Sequence, residues 1–124
     1  MPAPRLQRFG PVALTTTLTT NILNPAAAGS GAVGYTATAT YILLRHIRIV
    51  NKTGSAATFS LWLGATGANT AGTEVIGNGL SVPANSAFDW SGLLRLDAAD
   101  FLVGGAGTAT ALTFQAEGEV LLAG

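Results

Sequence analysis

A chain of 124 residues has room for one domain with a workable core, and not for two. It is 48% hydrophobic and 10% charged, where an ordinary globular chain carries roughly 25% charged residues, and its six basic and six acidic side chains cancel. These numbers exclude tracking of a nucleic-acid backbone, the lack of cysteine excludes disulfides and thiolate metal sites, and no run nears the roughly 18 apolar residues of a membrane-spanning helix.

So little charge leaves a weakly solvated surface, and apolar surface of that kind marks contact with a partner. The charge is also segregated. Residues 1–62 hold Arg5, Arg8, Arg45, Arg48 and Lys52 with no acid; residues 63–124 hold Arg95 against Glu74, Asp89, Asp97, Asp100, Glu117 and Glu119. Either the two halves interleave in one sheet sandwich, or a basic edge of one subunit meets an acidic edge of the next.

Residues 1–11 place Pro2, Pro4 and Pro11 around Arg5 and Arg8. Proline removes ladder donors and keeps the backbone extended, so this segment reads as an extended N-terminal arm off a single domain at residues 12–124. It has no uninterrupted apolar stretch for a secretory signal, which leads us to expect folding in the cytoplasm of the producing cell. Val12, Leu14 and Leu18 could line an edge strand; the Ala- and Gly-rich residues 26–31 offer little to bury.

Residues 41–50 are the strongest strand, with Leu43, Ile47 and Ile49 on one side of a period-two ribbon and His46 and Arg48 on the other. Turn residues at 51–55 lead into residues 57–63, where Phe59, Leu61 and Leu63 face away from Thr58, Ser60 and Trp62; the two strands should pair as a hairpin. Residues 64–72 form a loop of small side chains. Short strands follow at 73–76, 80–82 and 87–90, broken at 77–79, where Asn78-Gly79 signals a tight turn, and at 83–86. Residues 93–96 and 101–103 continue the series, Gly104 to Gly107 reads as a turn, and 108–120 form the last strand. There Leu112, Phe114, Ala116, Gly118 and Val120 alternate with Thr113, Gln115, Glu117 and Glu119. The fold expected is all-β, an antiparallel β-sandwich or jelly-roll-like domain, with Leu43, Ile47, Ile49, Phe59, Leu61, Leu63, Val82, Phe88, Leu94, Leu112 and Phe114 inward.

Chemistry finds little to stand on. His46 is the only histidine, no nucleophile elbow accompanies it, and Ser60 sits in mid-strand. The pairs Asp97 with Asp100 and Glu117 with Glu119 lack further oxygen ligands for a hard cation or sugar-stacking aromatics for glycosidase work. The Gly104 to Gly107 run has no Lys-Ser/Thr after it and no helix to hold a phosphate. No catalytic residue, cofactor or metal is therefore assigned.

The run RHIRIVNKTGSAATFSLWL at residues 45–63, with residues 80–86, 93–100 and the closing Thr/Gln/Glu-rich strand, resembles a recurrent pattern in small virion structural proteins of tailed phages. The likeness spans about residues 35–120 and rests on packing and turn residues, so it carries over no site. It implies a β-sandwich located in a virion, as a minor tail, head-fibre or capsid decoration component, without selecting the place. The low charge and the extended arm lead us to expect a capsid decoration or cement protein, with a minor tail or baseplate subunit as the alternative. The expected partners are further copies of the chain, in a small cyclic oligomer such as a trimer, and other virion proteins such as the major capsid protein; nucleic acid and membrane are not expected. Candidate interface residues are Arg5, Arg8, Phe9, Val12, His46, Arg48 and Trp62, Arg and aromatic side chains being frequent anchors. From a different class, a carbohydrate-binding sandwich would need Trp62 outward beside Trp90.

Overall fold

A computed structural model describes residues 5–25, 39–65 and 67–122. The described residues form eight strands and no helix: β1 (Arg5–Ala13), β2 (Asn21–Leu23), β3 (Ala39–Asn51), β4 (Ala57–Gly64), β5 (Glu74–Val82), β6 (Ala87–Asp97), β7 (Phe101–Ala106) and β8 (Leu112–Leu122). Two antiparallel four-stranded sheets are ordered β1-β8-β3-β6 and β2-β7-β4-β5. This order is that of an eight-stranded jelly roll, the more specific of the two sandwich forms expected.

The inward faces make one core in which Phe9, Ile42, Leu44, Ile47, Ile49, Phe59, Leu61, Leu96, Leu102, Phe114 and Val120 are buried. Of the expected inward residues, all but Leu43 lie in this core or pack against it. Leu43 faces outward because the alternation inverts within β3. Leu44 pairs with Gly118 and His46 with Glu117, so Arg45 is an extra residue, a β-bulge. Ile42 and Leu44 point inward before it, Ile47 and Ile49 after it.

The expected hairpin of β3 with β4 does not form: β3 lies in the first sheet between β8 and β6, and β4 in the second between β7 and β5. Asn51 directs the chain across. It is buried, its Nδ2 donates to the carbonyls of Ser55 (2.9 Å) and Val82 (3.0 Å), and its Oδ1 accepts from the Thr53 N–H and hydroxyl. The end of β3 is thereby tied to the end of β5 in the opposite sheet. Asn51→Ala should cost about 3 kcal/mol in urea unfolding, since it strands several buried polar groups together.

Two expected breaks are continuous strand. At Asn78-Gly79 the chain does not turn back; β5 bulges instead, with the Gly79 N–H donating to Ser60 Oγ and the Ser60 hydroxyl to Asn78 Oδ1 (2.7 Å). Gly104 and Gly105 belong to β7. A Cβ at Gly104 would stand 2.1 Å from the Ser60 carbonyl oxygen, so glycine serves close strand approach here rather than a turn.

From Arg5 onward the N-terminal segment is a strand that runs along β8 of its own fold, from Arg5 opposite Val120 to Ala13 opposite Thr113. Residues 1–4 lie outside the described residues. The arm reading missed that Phe9, framed by Gly10 and Pro11, is a core residue with no exposed surface.

Candidate functional site

The jelly roll interleaves the two halves of the chain. Across the first sheet, β1 and β3 come from the basic half and β8 and β6 from the acidic half. Its outer face is therefore striped: Arg8 on β1; Glu117 and Glu119 on β8; Arg45, His46 and Arg48 on β3; Asp89 and Asp97 on β6. Arg95 on β6 is the exception, and its Nε bonds Asp97 Oδ1 at 2.7 Å while its guanidinium lies over the Tyr41 ring.

Ion pairs cross the stripes. Arg45 Nη2 lies 3.2 Å from Glu119 Oε1, and Arg48 Nε lies 2.7 Å from Asp89 Oδ1. His46 stands between two carboxylates, Nε2 at 2.8 Å from Asp89 Oδ1 and Nδ1 at 3.5 Å from Glu117 Oε1. The hydrogen bond from Arg48, seconded by that of His46, holds the Asp89 carboxyl below its ordinary value, and the same pairing raises Arg48. A depressed carboxyl favours the fold at and above the ordinary Asp value. That contribution fades as acid carries the pH down through the lowered one. Arg48 and Asp89 are both about half exposed, so solvent screens their pairing.

A shallow groove on this face is lined by Leu6, Arg8, Arg45, His46, Glu117 and Gly118. Leu6, 80% exposed, sits at the β1 margin, and Leu93, 66% exposed, at the β6 margin. Both ring nitrogens of His46 face carboxylates, which turns neither toward a nucleophile. Ser60 lies in the other sheet, engaged with Asn78 and Gly79. Among the described residues no three His, Asp or Glu side chains converge as a metal ion would need, and no helix is long and apolar enough to cross a membrane.

Of the candidate interface residues, Arg8, His46 and Arg48 come together on this striped face. Arg5 is described by its backbone pairing with Val120 on β8, and its side chain lies outside the described residues. Phe9 is in the core and Val12 packs half-buried against it. Trp62 is only 4% exposed within its own chain and stands apart from the main core cluster, as does Val103, its partner on β7. They lie on the outer side of the second sheet, where Thr15, Thr17 and Leu18 pass directly over Gly105. The Trp62 indole N–H is buried without a hydrogen-bond partner among the described residues. Trp90 packs against the core from the first sheet. The two indoles therefore do not form the outward pair that sugar stacking would need. Sequence reasoning missed Leu6, Leu93, Asp89 and Glu117 as members of the face. The alternation in β8 assigned Glu117 outward, but only the strand order brings it beside His46.

No protein-family model matches the chain, and no curated protein is similar to it.

Proposed function

We propose that this protein is a non-enzymatic structural subunit of a virion, a capsid decoration or cement protein of tailed-phage type that stabilises the shell through subunit contacts. The observation that carries the reading is the outer face of the first sheet: four strands wide, striped in charge, rimmed by exposed leucines, and with its lone imidazole closed off between carboxylates. Such a face suits protein contact better than chemistry on a small substrate. The resemblance of residues 35–120 to tailed-phage virion proteins and the low overall charge support the same reading. Viral capsid domains use jelly rolls, though the fold alone assigns no role. A subunit that binds the assembled shell and not its dissociated parts stabilises the shell by mass action.

The test is gold labelling of particles made by the virus or prophage that encodes the chain, using antibody against this protein. Label over heads is expected. Label confined to tails would move the protein to the tail or baseplate, and unlabelled particles would retire the reading.

A further inference from the structure

We infer that the striped face of the first sheet is a self-association surface, on which a second copy of this chain docks face to face about a two-fold axis parallel to the strands. The geometry behind this is independent of any virion role.

Strand order and charge select the symmetry. In the order β1-β8-β3-β6 the outward charges read basic, acidic, basic, acidic, apart from Arg95 on β6, which is already paired with Asp97. A two-fold axis parallel to the strands, running between β8 and β3, reverses the order in the facing copy. It lays β1 over the partner's β6 and β8 over the partner's β3, so every stripe meets its opposite. A two-fold axis across the strands would lay each strand over itself, acid on acid and base on base, and like charges brought together oppose association. Within the favoured arrangement rows are kept. Glu117 lies over the partner copy's His46 and Glu119 over its Arg45, because these residues already share or adjoin rows within one chain. Each guanidinium has five N–H donors, and the Arg45 pair occupies one nitrogen. The two Arg45–Glu119 pairs could then close into one network across the axis.

The apolar side chains fit the same operator. Leu6 is in the row of Glu119, Leu43 and Arg95. Leu93 lies two residues from Arg95 on β6, at the register irregularity between Leu94 and Ser91, at most about 7 Å along the strand. The two exposed leucines occupy opposite margins, so they are far apart in one copy and meet across the pair, twice by symmetry. Four strands at ordinary spacing give a face of roughly 500 Å² per copy, at the small end of specific interfaces, so the dimer should be weak, with Kd on the order of 10 µM.

Sedimentation equilibrium of the full chain tests this, with thermal melts confirming that each variant is folded. Leu6→Asp and Leu93→Asp, both at exposed positions, should each weaken dimerisation tenfold or more. Arg45→Glu and Glu119→Arg should each weaken it, and the double swap should restore it. The chain has no cysteine, so Leu6→Cys combined with Leu93→Cys should be joined between copies by a short bis-maleimide. Either cysteine alone should not be joined, since like positions lie roughly 17 Å apart across the pair. A chain that stays monomeric at high concentration overturns the inference, as does efficient crosslinking of the single-cysteine variants or dimerisation indifferent to the leucine changes. Particles without label would leave this dimer standing, and a monomeric chain on labelled heads would leave the proposed function standing.

Discussion

Replacing Gly118 by alanine should unfold the first sheet at its centre, at a cost of about 3 kcal/mol or more, read as a large fall in the urea midpoint. Gly118 is on β8, between β1 and β3, opposite Gln7 on one side and Leu44 on the other. A Cβ there would stand 2.0 Å from the Leu43 carbonyl oxygen and 2.9 Å from Leu44 Cα. Overpacking against mobile side chains costs roughly 1–3 kcal/mol. Here the obstacle is backbone already committed to the Arg45 bulge, so relief requires separating the two central strands. Gly54→Ala is the control: nothing stands within 4 Å of its Cβ position, and a change within about 0.5 kcal/mol is expected. Equal midpoints for the two variants would show that the bulge yields more easily than the geometry implies.

Phe9→Ala should destabilise the fold by about 3–5 kcal/mol, the usual cost of emptying a fully buried phenylalanine site. Deletion of residues 1–11 should do worse. It removes Phe9 and most of β1, and it leaves β8 as a free edge above an exposed part of the core. Loss of particle binding on such a deletion would therefore report unfolding as much as a lost contact. Leu6→Ala provides the contrast, since Leu6 is 80% exposed and should leave stability nearly unchanged. A folded, cooperatively melting deletion variant would show that β1 is dispensable.

How far the sequence could be read depended on whether a rule was local. The alternation of residues 112–120 is unbroken, and β8 faces as its pattern says. In β3 the same rule works from Ile47 onward and fails before Arg45, because one unpaired residue inverts every face that precedes it, and nothing in the side chains marks which residue is extra. Asn51 reads as a turn former from its neighbours; its role as a tie to Val82 depends on a strand in the other sheet. Phe9 among prolines and Trp62 opposite Phe59 are equally misleading, since each is buried by chain distant in sequence. At the candidate site, the outward side of His46 and Arg48 was legible. Their partners were not, because Asp89 and Glu117 reach them only through the strand order. The opposed charges of the two halves were a true signal whose meaning required topology: they interleave within each copy, as the first of the two expectations had it.

That interleaving has a consequence for synthesis. Among the described strands, β4 and β5 alone are neighbours both along the chain and within a sheet. As the polypeptide leaves the ribosome, β1 and β3 emerge with nothing beside them, and the slot between them stays open until the final strand slides in. Pairing across such long separations is slow, on the order of milliseconds to seconds. The nascent chain must therefore keep a set of greasy, half-made ribbons apart until β8 is free.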